Sequence, residues 1–356
     1  MTILVADNIE TNSYVTSLVE AYKKTGHQVL CGLHNFFYSN FKPDMLHIQW
    51  PEKLYSWYPF SRLNEQEKYD KIEERLKWYR ENKVFIVHTI HNIKPHIPAK
   101  LDFEEKIFKL VINYSDLLSH HCKRSIELLK EIYPAVVNKK NIANHLGDYL
   151  IDFKNISKVE ARKKLGISLD KYVILNFGSQ QKYKGENFIE SVFNKLQIKN
   201  KFLLTGGSYR YFGYGRMFTI LKMIKNFEKV HLFHTNKKYY YRAIHPDEVS
   251  YFFSSSDLVF MAHTGSLNSG ILSMAATYSK PVVFPNIGCF KEQMESWNYR
   301  CYDNYNIKDA IKGIENFYYK NDLILDNSEW LSKNSWEKHV ELICNSIGKV
   351  QNKKIL

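Results

Sequence analysis

Residues 263–285, HTGSLNSGILSMAATYSKPVVFP, read as a loop, a helix and a buried strand. Ile271, Leu272, Ala275 and Ala276 fall at helical spacing. Pro281–Val282–Val283–Phe284–Pro285 is then a short all-apolar run, the pattern of a parallel strand covered on both faces. The helix opens on Asn268–Ser269–Gly270, whose small or capping side chains leave backbone N–H groups pointing at whatever lies beyond them. Neither acid nor base stands beside that opening, so any ligand there meets backbone rather than charge.

Working outward, the same alternation recurs. Tyr172–Phe177 and Lys201–Thr205 read as strands that end in Gly178 and in Gly206–Gly207. His231–His234 and Leu258–Ala262 read as further strands. Helices are expected over Asn187–Leu196, near Met217–Phe227, and starting near Asp247 and Ile307. In the first half, strands are expected at Thr2–Ala6, His27–Leu30, Asp44–Gln49, Val84–Ile90 and Leu117–His121. Helices lie between them at Tyr14–Thr25 and Asn64–Asn82, and another runs up to Tyr133, where Pro134 ends it. The crossovers are long enough for parallel pairing. Around residues 145–171 the pattern pauses, and Ser157 with Glu160 forms a capping box for a short basic helix that Gly166 ends.

The expectation is therefore an α/β protein with two doubly wound, Rossmann-like domains facing a cleft, over residues 1–155 and 156–330. A helical tail at 331–356 packs back across them.

The chain has 356 residues, 44% hydrophobic and 24% charged, enough for two ordinary cores. Its start, MTILVADNIE, lacks the basic region of a secretory signal, and no apolar run approaches a bilayer span. Five scattered cysteines without a CxxC read as reduced thiols in a cytoplasmic protein. Fifty Lys and Arg against 37 Asp and Glu give a net charge of +13, a field that favours anionic partners. With 25 Tyr and 22 Phe, stacking on single-stranded nucleic acid is one way to use that field, and a Lys-rich solvated surface is the plainer one.

Ligands of doubly wound sheets sit beyond the carboxyl ends of the strands. That rule selects Asp7–Glu10, His47–Glu52, His88–His96, Gly178–Gly185, Gly206–Tyr211, His234–Asn236 and His263–Gly270. Lys184 follows a strand and precedes a helix, so its ammonium and the helix N–H groups can meet a phosphate. Asn268–Ser269–Gly270 supplies a second helix N-terminus. The spacing of His88, His91 and His96 fits no closed zinc site. A GxSxG elbow and a GxGxxG turn are both missing, which argues against a serine hydrolase and a dinucleotide oxidoreductase.

The segments FGSQQKYKGENFIESVF, HPDEVSYFFSSSDLVFMAH and NSGILSMAATYSKPVVFPNIG stand in an order and spacing that resembles GT-B glycosyltransferases of the group 1, family 4-like kind. DMLHIQWPEKLY, HTIHNIKPH and NHLGDYLIDF look like the bacterial capsule and exopolysaccharide branch of that group, so the resemblance spans nearly the whole chain. It implies an enzyme that moves a sugar from UDP- or GDP-sugar to a saccharide or lipid-linked saccharide acceptor. No metal or other cofactor is implied, and nucleic acid is not an expected partner. Lys184 would hold the donor diphosphate, with the amides of Ser269, Gly270 and Ile271 capping phosphate or sugar. Gly206 would let backbone approach, and His234 would lie near the base.

Two departures stand out. Where members of the group carry an Arg before the lysine, this chain has Ser179–Gln180–Gln181–Lys182, and Lys182 takes that place. Where they carry two glutamates, Ser266 and Met274 stand here, leaving ribose recognition to Ser266, Asn268 and Ser273.

The first domain then supplies the acceptor side. His91, in a Thr-x-His-Asn loop, is the residue that the resemblance turns toward the donor sugar. His88 and Asp7 are the other candidate catalytic groups, and a histidine near its ordinary pKa of about 6.5 can accept a hydroxyl proton. Glu10, Glu52 and His96 are the candidate acceptor contacts. The mixed basic and aromatic stretches Tyr209–Lys229 and Asn236–Arg242 suit either an anionic membrane surface at the inner face of the cell membrane or a plain basic helix face. A GT-B subunit that binds nucleotide without catalysis is the alternative that the absent glutamates favour. A nucleic-acid-binding protein rests on charge and aromatics alone.

Overall fold

The computed structural model describes residues 1–9, 12–93, 101–208, 236–303, 305–320, 323 and 325–351. The chain divides into two compact units, which we call unit one (Met1–Gly147 with Asn334–Leu356) and unit two (Asp148–Lys333).

Unit one carries six strands among the described residues: β1 Thr2–Val5, β2 Gln28–Cys31, β3 Met45–Ile48, β4 Phe85–Ile90, β5 Leu117–His120 and β6 Lys140–Ala143. They pair in parallel in the order β2-β1-β3-β4-β5-β6. The chain thus reverses direction across the sheet between β1 and β3. Successive side chains of a strand face opposite ways. Leu4, Leu46 and Ile86 accordingly meet Phe36, Leu76 and Ile107 on one face. Ile3, Val5 and Val87 meet Leu18, Val340 and Ile343 on the other. Val340 and Ile343 come from the helix Trp336–Gln351, which packs on the helix Ser13–Lys24.

Unit two carries β7 Tyr172–Phe177, β8 Lys201–Gly206, β9 Lys237–Tyr240, β10 Leu258–Phe260, β11 Val282–Pro285 and β12 Tyr299–Tyr302. Their order is β12-β11-β10-β7-β8-β9, again all parallel. Counted within the unit this is the 3-2-1-4-5-6 arrangement of a dinucleotide-type sheet, with its reversal between β7 and β10. The opening stretch forms the helix Gly270–Thr277 and β11, as its spacing predicts. Leu272 and Ala276 of that helix pack against Phe253, Val259 and Phe284.

Several differences from the sequence reading have physical causes. β6, β9 and β12 lie at sheet edges and are only partly buried, so their sequences KNIA, KKYY and YRCY lack an apolar signature. The expected tail helix is two helices, Ser328–Lys333 and Trp336–Gln351. Ser157 caps its helix by accepting from the Glu160 amide at 3.1 Å, and Gly166 closes the helix in the left-handed region at φ +62°. The helix expected near Met217–Phe227 and the strand His231–His234 lie outside the described residues. The reduced-thiol expectation holds for three of the five cysteines, Cys31, Cys301 and Cys344. No helix among the described residues is long and apolar enough to cross a membrane.

Candidate functional site

The reversal between β7 and β10 opens a crevice at their carboxyl ends, where doubly wound sheets bind ligands. Gly178, the first residue past β7, has φ +99°, and the chain then turns through Lys182–Lys184 to Gly185 at φ +68°. Gly207, past β8, has φ +142°, and a Cβ there would stand 2.0 Å from the Gly178 carbonyl oxygen. A Cβ on Gly185 would meet the Ala262 carbonyl oxygen at 2.2 Å. Only glycine lets these three strand ends close on one another.

Lys184 sits in this crevice and is 8% exposed. A Cβ built on Gly178 would lie 2.8 Å from Lys184 Nζ and 3.3 Å from Ile271 Cδ1, so the ammonium lies beside the first turn of the helix Gly270–Thr277. Unit two's other buried cations have acceptors: Lys280 donates to the Ser256 carbonyl at 2.9 Å, and two more pair with carboxylates. Arg162 donates to Asp257 at 2.7 Å and to two carbonyls, and Lys237 pairs with Glu190. Lys184 Nζ has no acceptor among the described residues, and burial pushes its ammonium down to about 8.

The helix beside it is capped by Ser269, whose hydroxyl accepts from the Ile271 amide at 3.3 Å. Gln293 fixes this cap by accepting from the Ser269 amide at 3.2 Å and donating to its carbonyl at 2.8 Å. Gly270 is closely covered: a Cβ there would stand 2.5 Å from the Tyr149 hydroxyl. Ser266 donates to the Asn268 carbonyl at 2.7 Å, which folds the preceding loop. Met274 is a half-buried packing residue at the edge of the core. Ser179 receives a bond of 3.4 Å from the Gln181 amide, and Gln180 donates to the Gly178 carbonyl at 2.7 Å, bracing the turn. Gly206 closes β8, and a Cβ there would stand 2.6 Å from the Phe252 ring. Lys182 lies in the turn before Lys184.

Unit one has its own reversal, between β1 and β3. Past β1, Asp7 is 1% exposed and accepts from Lys53 through both oxygens, at 2.6 and 2.7 Å. Burial raises its carboxyl pKa, and Lys53 opposes the rise. Lys53 also lies 4.6 Å above the Trp50 ring, and Trp50 stacks on His91 at 4.1 Å. His91 Nε2 is 3.1 Å from Gln49 Oε1, and its Nδ1 is 3.2 Å from His121 Nε2. Burial, with the neighbouring histidines, holds His91 well below the ordinary range. At neutral pH this ring is therefore a neutral imidazole, held below the ordinary value of about 6.5. His88 lies within β4, 1% exposed, against the Phe108 ring and 3.2 Å from the Ile48 carbonyl; burial brings it down to about 4.

The structure thus brings Lys184, Gly178 and the Ser269–Ile271 turn together in unit two, and Asp7 and His91 to one strand-end cluster in unit one. Glu52 is half-buried in the short helix Pro51–Tyr55, beside that cluster in sequence. Glu10, His96 and His234 lie outside the described residues. Among those residues, no three His, Cys, Asp or Glu side chains are grouped to hold a metal ion. Sequence reasoning did not single out Lys53, Trp50, Gln49 or His121. His263, the first residue of the selected segment His263–Gly270, was given no role of its own; it is buried three residues past the end of β10.

Asn236–Arg242 forms β9 and its flanks rather than a helix face. Its charges are engaged within the unit: Lys237 and Tyr239 with Glu190, and Arg242 with Glu248 through two bonds of 2.6 Å.

The sequence matches no protein-family model and no curated protein. Solved structures do match. Sucrose-phosphate synthase from Thermosynechococcus elongatus is 12% identical, with a TM-score of 0.67 over 99% of this chain and 98% of that one. HepE from Anabaena, in complex with UDP-glucose, is 11% identical, with a TM-score of 0.67 over 98% and 99%. A glycosyltransferase from Rickettsia africae is 12% identical, with a TM-score of 0.68 over 98% of each chain. With two parallel six-stranded sheets flanked by helices, the chain has the two-domain α/β fold of these neighbours, that of the GT-B glycosyltransferases.

Proposed function

We propose that the protein transfers a sugar from a nucleotide-diphosphate sugar, UDP- or GDP-linked, to a saccharide or lipid-linked saccharide acceptor in surface polysaccharide synthesis. The observation that carries this reading is Lys184: a buried cation without an acceptor among the described residues, at the reversal point of unit two and beside a helix N-terminus. An anion is what such a site lacks, and a diphosphate supplies it. The HepE neighbour, of the same fold, was solved with UDP-glucose.

When the glycosidic bond breaks, charge develops on the departing diphosphate. Lys184 and the Gly270 amide are proposed to stabilise that charge without a metal, with the Ile271 amide, which donates to the Ser269 hydroxyl at 3.3 Å, turning to the ligand. Ser179, Lys182, Gly206, Ser266 and Asn268 complete the proposed donor contacts. In unit one, His91 is proposed to hydrogen-bond the sugar or acceptor hydroxyl as a neutral ring, with Asp7 fixing Lys53 beside it and His88 packed behind in the sheet. A lipid-linked acceptor places the reaction at the inner face of the membrane.

Calorimetric titration with UDP-glucose, GDP-mannose and a single-stranded oligonucleotide tests the reading. Binding of one nucleotide-sugar that Lys184→Ala weakens supports it. Binding of the oligonucleotide alone overturns it. Ser266 and Met274, which stand where the resemblance has glutamates, favour one second reading, a nucleotide-binding subunit without transferase activity. Donor turnover that is lost in His91→Ala excludes that reading.

A further inference from the structure

We propose that His263 is a proton-dependent partner of Lys184: the anion that Lys184 holds binds together with one proton taken up by His263. The proposal rests on the diphosphate reading of Lys184 and adds to it a second cation that exists only when the site is filled.

The placement of His263 follows from backbone contacts on both of its sides. Before it, the Ala262 carbonyl oxygen touches Gly185, the residue after Lys184. After it, the Thr264 amide donates to the carbonyl of Tyr183, the residue before Lys184, at 2.6 Å. His263 is thus pinned against the turn that carries Lys184, at the reversal point between β7 and β10. The side chain is 5% exposed, and its Nδ1 is buried without a hydrogen-bond partner. A buried imidazole nitrogen left unpaired costs free energy, and its presence in a strand-end crevice calls for a missing partner.

The surroundings determine how that partner acts. The turn Lys182–Lys184 contributes the Tyr183 ring, at 5.6 Å, and the Lys184 ammonium. Tyr183 is kept neutral by burial. The helix Phe290–Gln293 contributes the Phe290 ring, at 5.8 Å, while its Lys291 is exposed and its Glu292 half-buried. The field felt by the His263 ring comes from Lys184, and burial followed by that field holds the imidazole down to about 3. Lys184 and His263 therefore form one cation and one neutral ring. A diphosphate beside Lys184 reverses the sign of the local field, and a proton from solvent then converts His263 to imidazolium with a hydrogen on each nitrogen.

The test is calorimetry with UDP-glucose and GDP-mannose, whose diesterified phosphates stay ionised over the range used. Each titration is run near pH 6 in two buffers of different ionisation enthalpy. Lys184 is already protonated there, so uptake at that pH that His263→Gln abolishes belongs to His263. The expected result is uptake of roughly one proton per nucleotide-sugar bound, with affinity falling by up to about tenfold per pH unit toward pH 8. His263→Gln should bind without uptake near pH 6 and with a flatter pH profile. Because the wild-type measurement in two buffers stands alone, an unstable variant does not remove the test. Lys184-dependent binding without proton uptake overturns this proposal and leaves the donor-site reading intact. Binding of neither nucleotide-sugar overturns both.

Discussion

The two units use the same construction and bury opposite polar chemistry. Each is a parallel six-stranded sheet with a reversal of strand order near its middle. At the carboxyl ends, unit two buries a lysine that lacks a partner among the described residues. Unit one buries imidazoles: His47, His88, His91, His120, His121 and His339 are all held below the ordinary histidine range, burial being the largest cause in each. Burying a cation without its anion costs stability until a ligand arrives. Burying a neutral imidazole costs little at neutral pH where the ring satisfies both nitrogens with neighbours, as His47 does with Tyr22 and Thr89, whereas His88 and His339 each leave one buried Nε2 unpaired. One unit thus buries a cation without an acceptor among the described residues, and the other buries a set of neutral rings.

Acid should break the comparison most sharply. A histidine whose pKa is lower in the folded state stabilises the fold above the unfolded value of about 6.5, and that contribution is lost as pH falls toward the folded value. His88, His120 and His339 fall to about 4 and His121 to about 3. At pH 5 each contributes a loss of about 2 kcal/mol. Several together approach the whole stability of a domain, about 5–15 kcal/mol. Hydrogen exchange between pH 7 and pH 5 should show unit one opening first. Equal loss of protection in both units would contradict the contrast.

Lys184→Met comes next in size and acts in two directions. Removing the buried ammonium relieves a cost of about 3 kcal/mol at neutral pH, so the ligand-free protein should melt higher. Nucleotide-sugar affinity should fall by about 30- to 1000-fold. A variant that melts lower would show that Lys184 is structural. Gly207→Ala should cost about 2–4 kcal/mol in unit two, since it combines a left-handed φ with a Cβ pressed on the Gly178 carbonyl. Urea unfolding followed in each unit separately would detect it, and nucleotide affinity should fall in step. Asp7→Asn is the smallest change, about 1 kcal/mol in unit one. The ion pair it breaks includes a Lys53 that is 31% exposed, and Asn avoids the burial cost of the carboxylate. A thermal shift of a few degrees confined to unit one is expected.

The sequence carried the central strands and the edge strand β2, and missed the edge strands β6, β9 and β12. The runs VIL, FLL and VVF of β7, β8 and β11 are apolar and fully covered, whereas KKYY and YRCY lie at edges and are only partly buried. Of the candidate sites, Lys184 was legible because strand–lysine–glycine–helix is a local pattern. His263 was not, because its significance depends on two backbone contacts to a turn some 80 residues earlier. The ring stack of Trp50 on His91 is equally invisible to spacing.

The return of the chain to unit one at Asn334 sets an order of events during synthesis. Val340, Ile343 and Ile347 of the last helix supply part of the core under β1 and β4. The first 147 residues leave the ribosome with that face uncovered and must wait for nearly the whole chain. Unit two is complete once Lys333 has emerged. The part made first is therefore the part finished last, and a nascent chain truncated before Trp336 should contain a folded unit two tethered to an incomplete unit one.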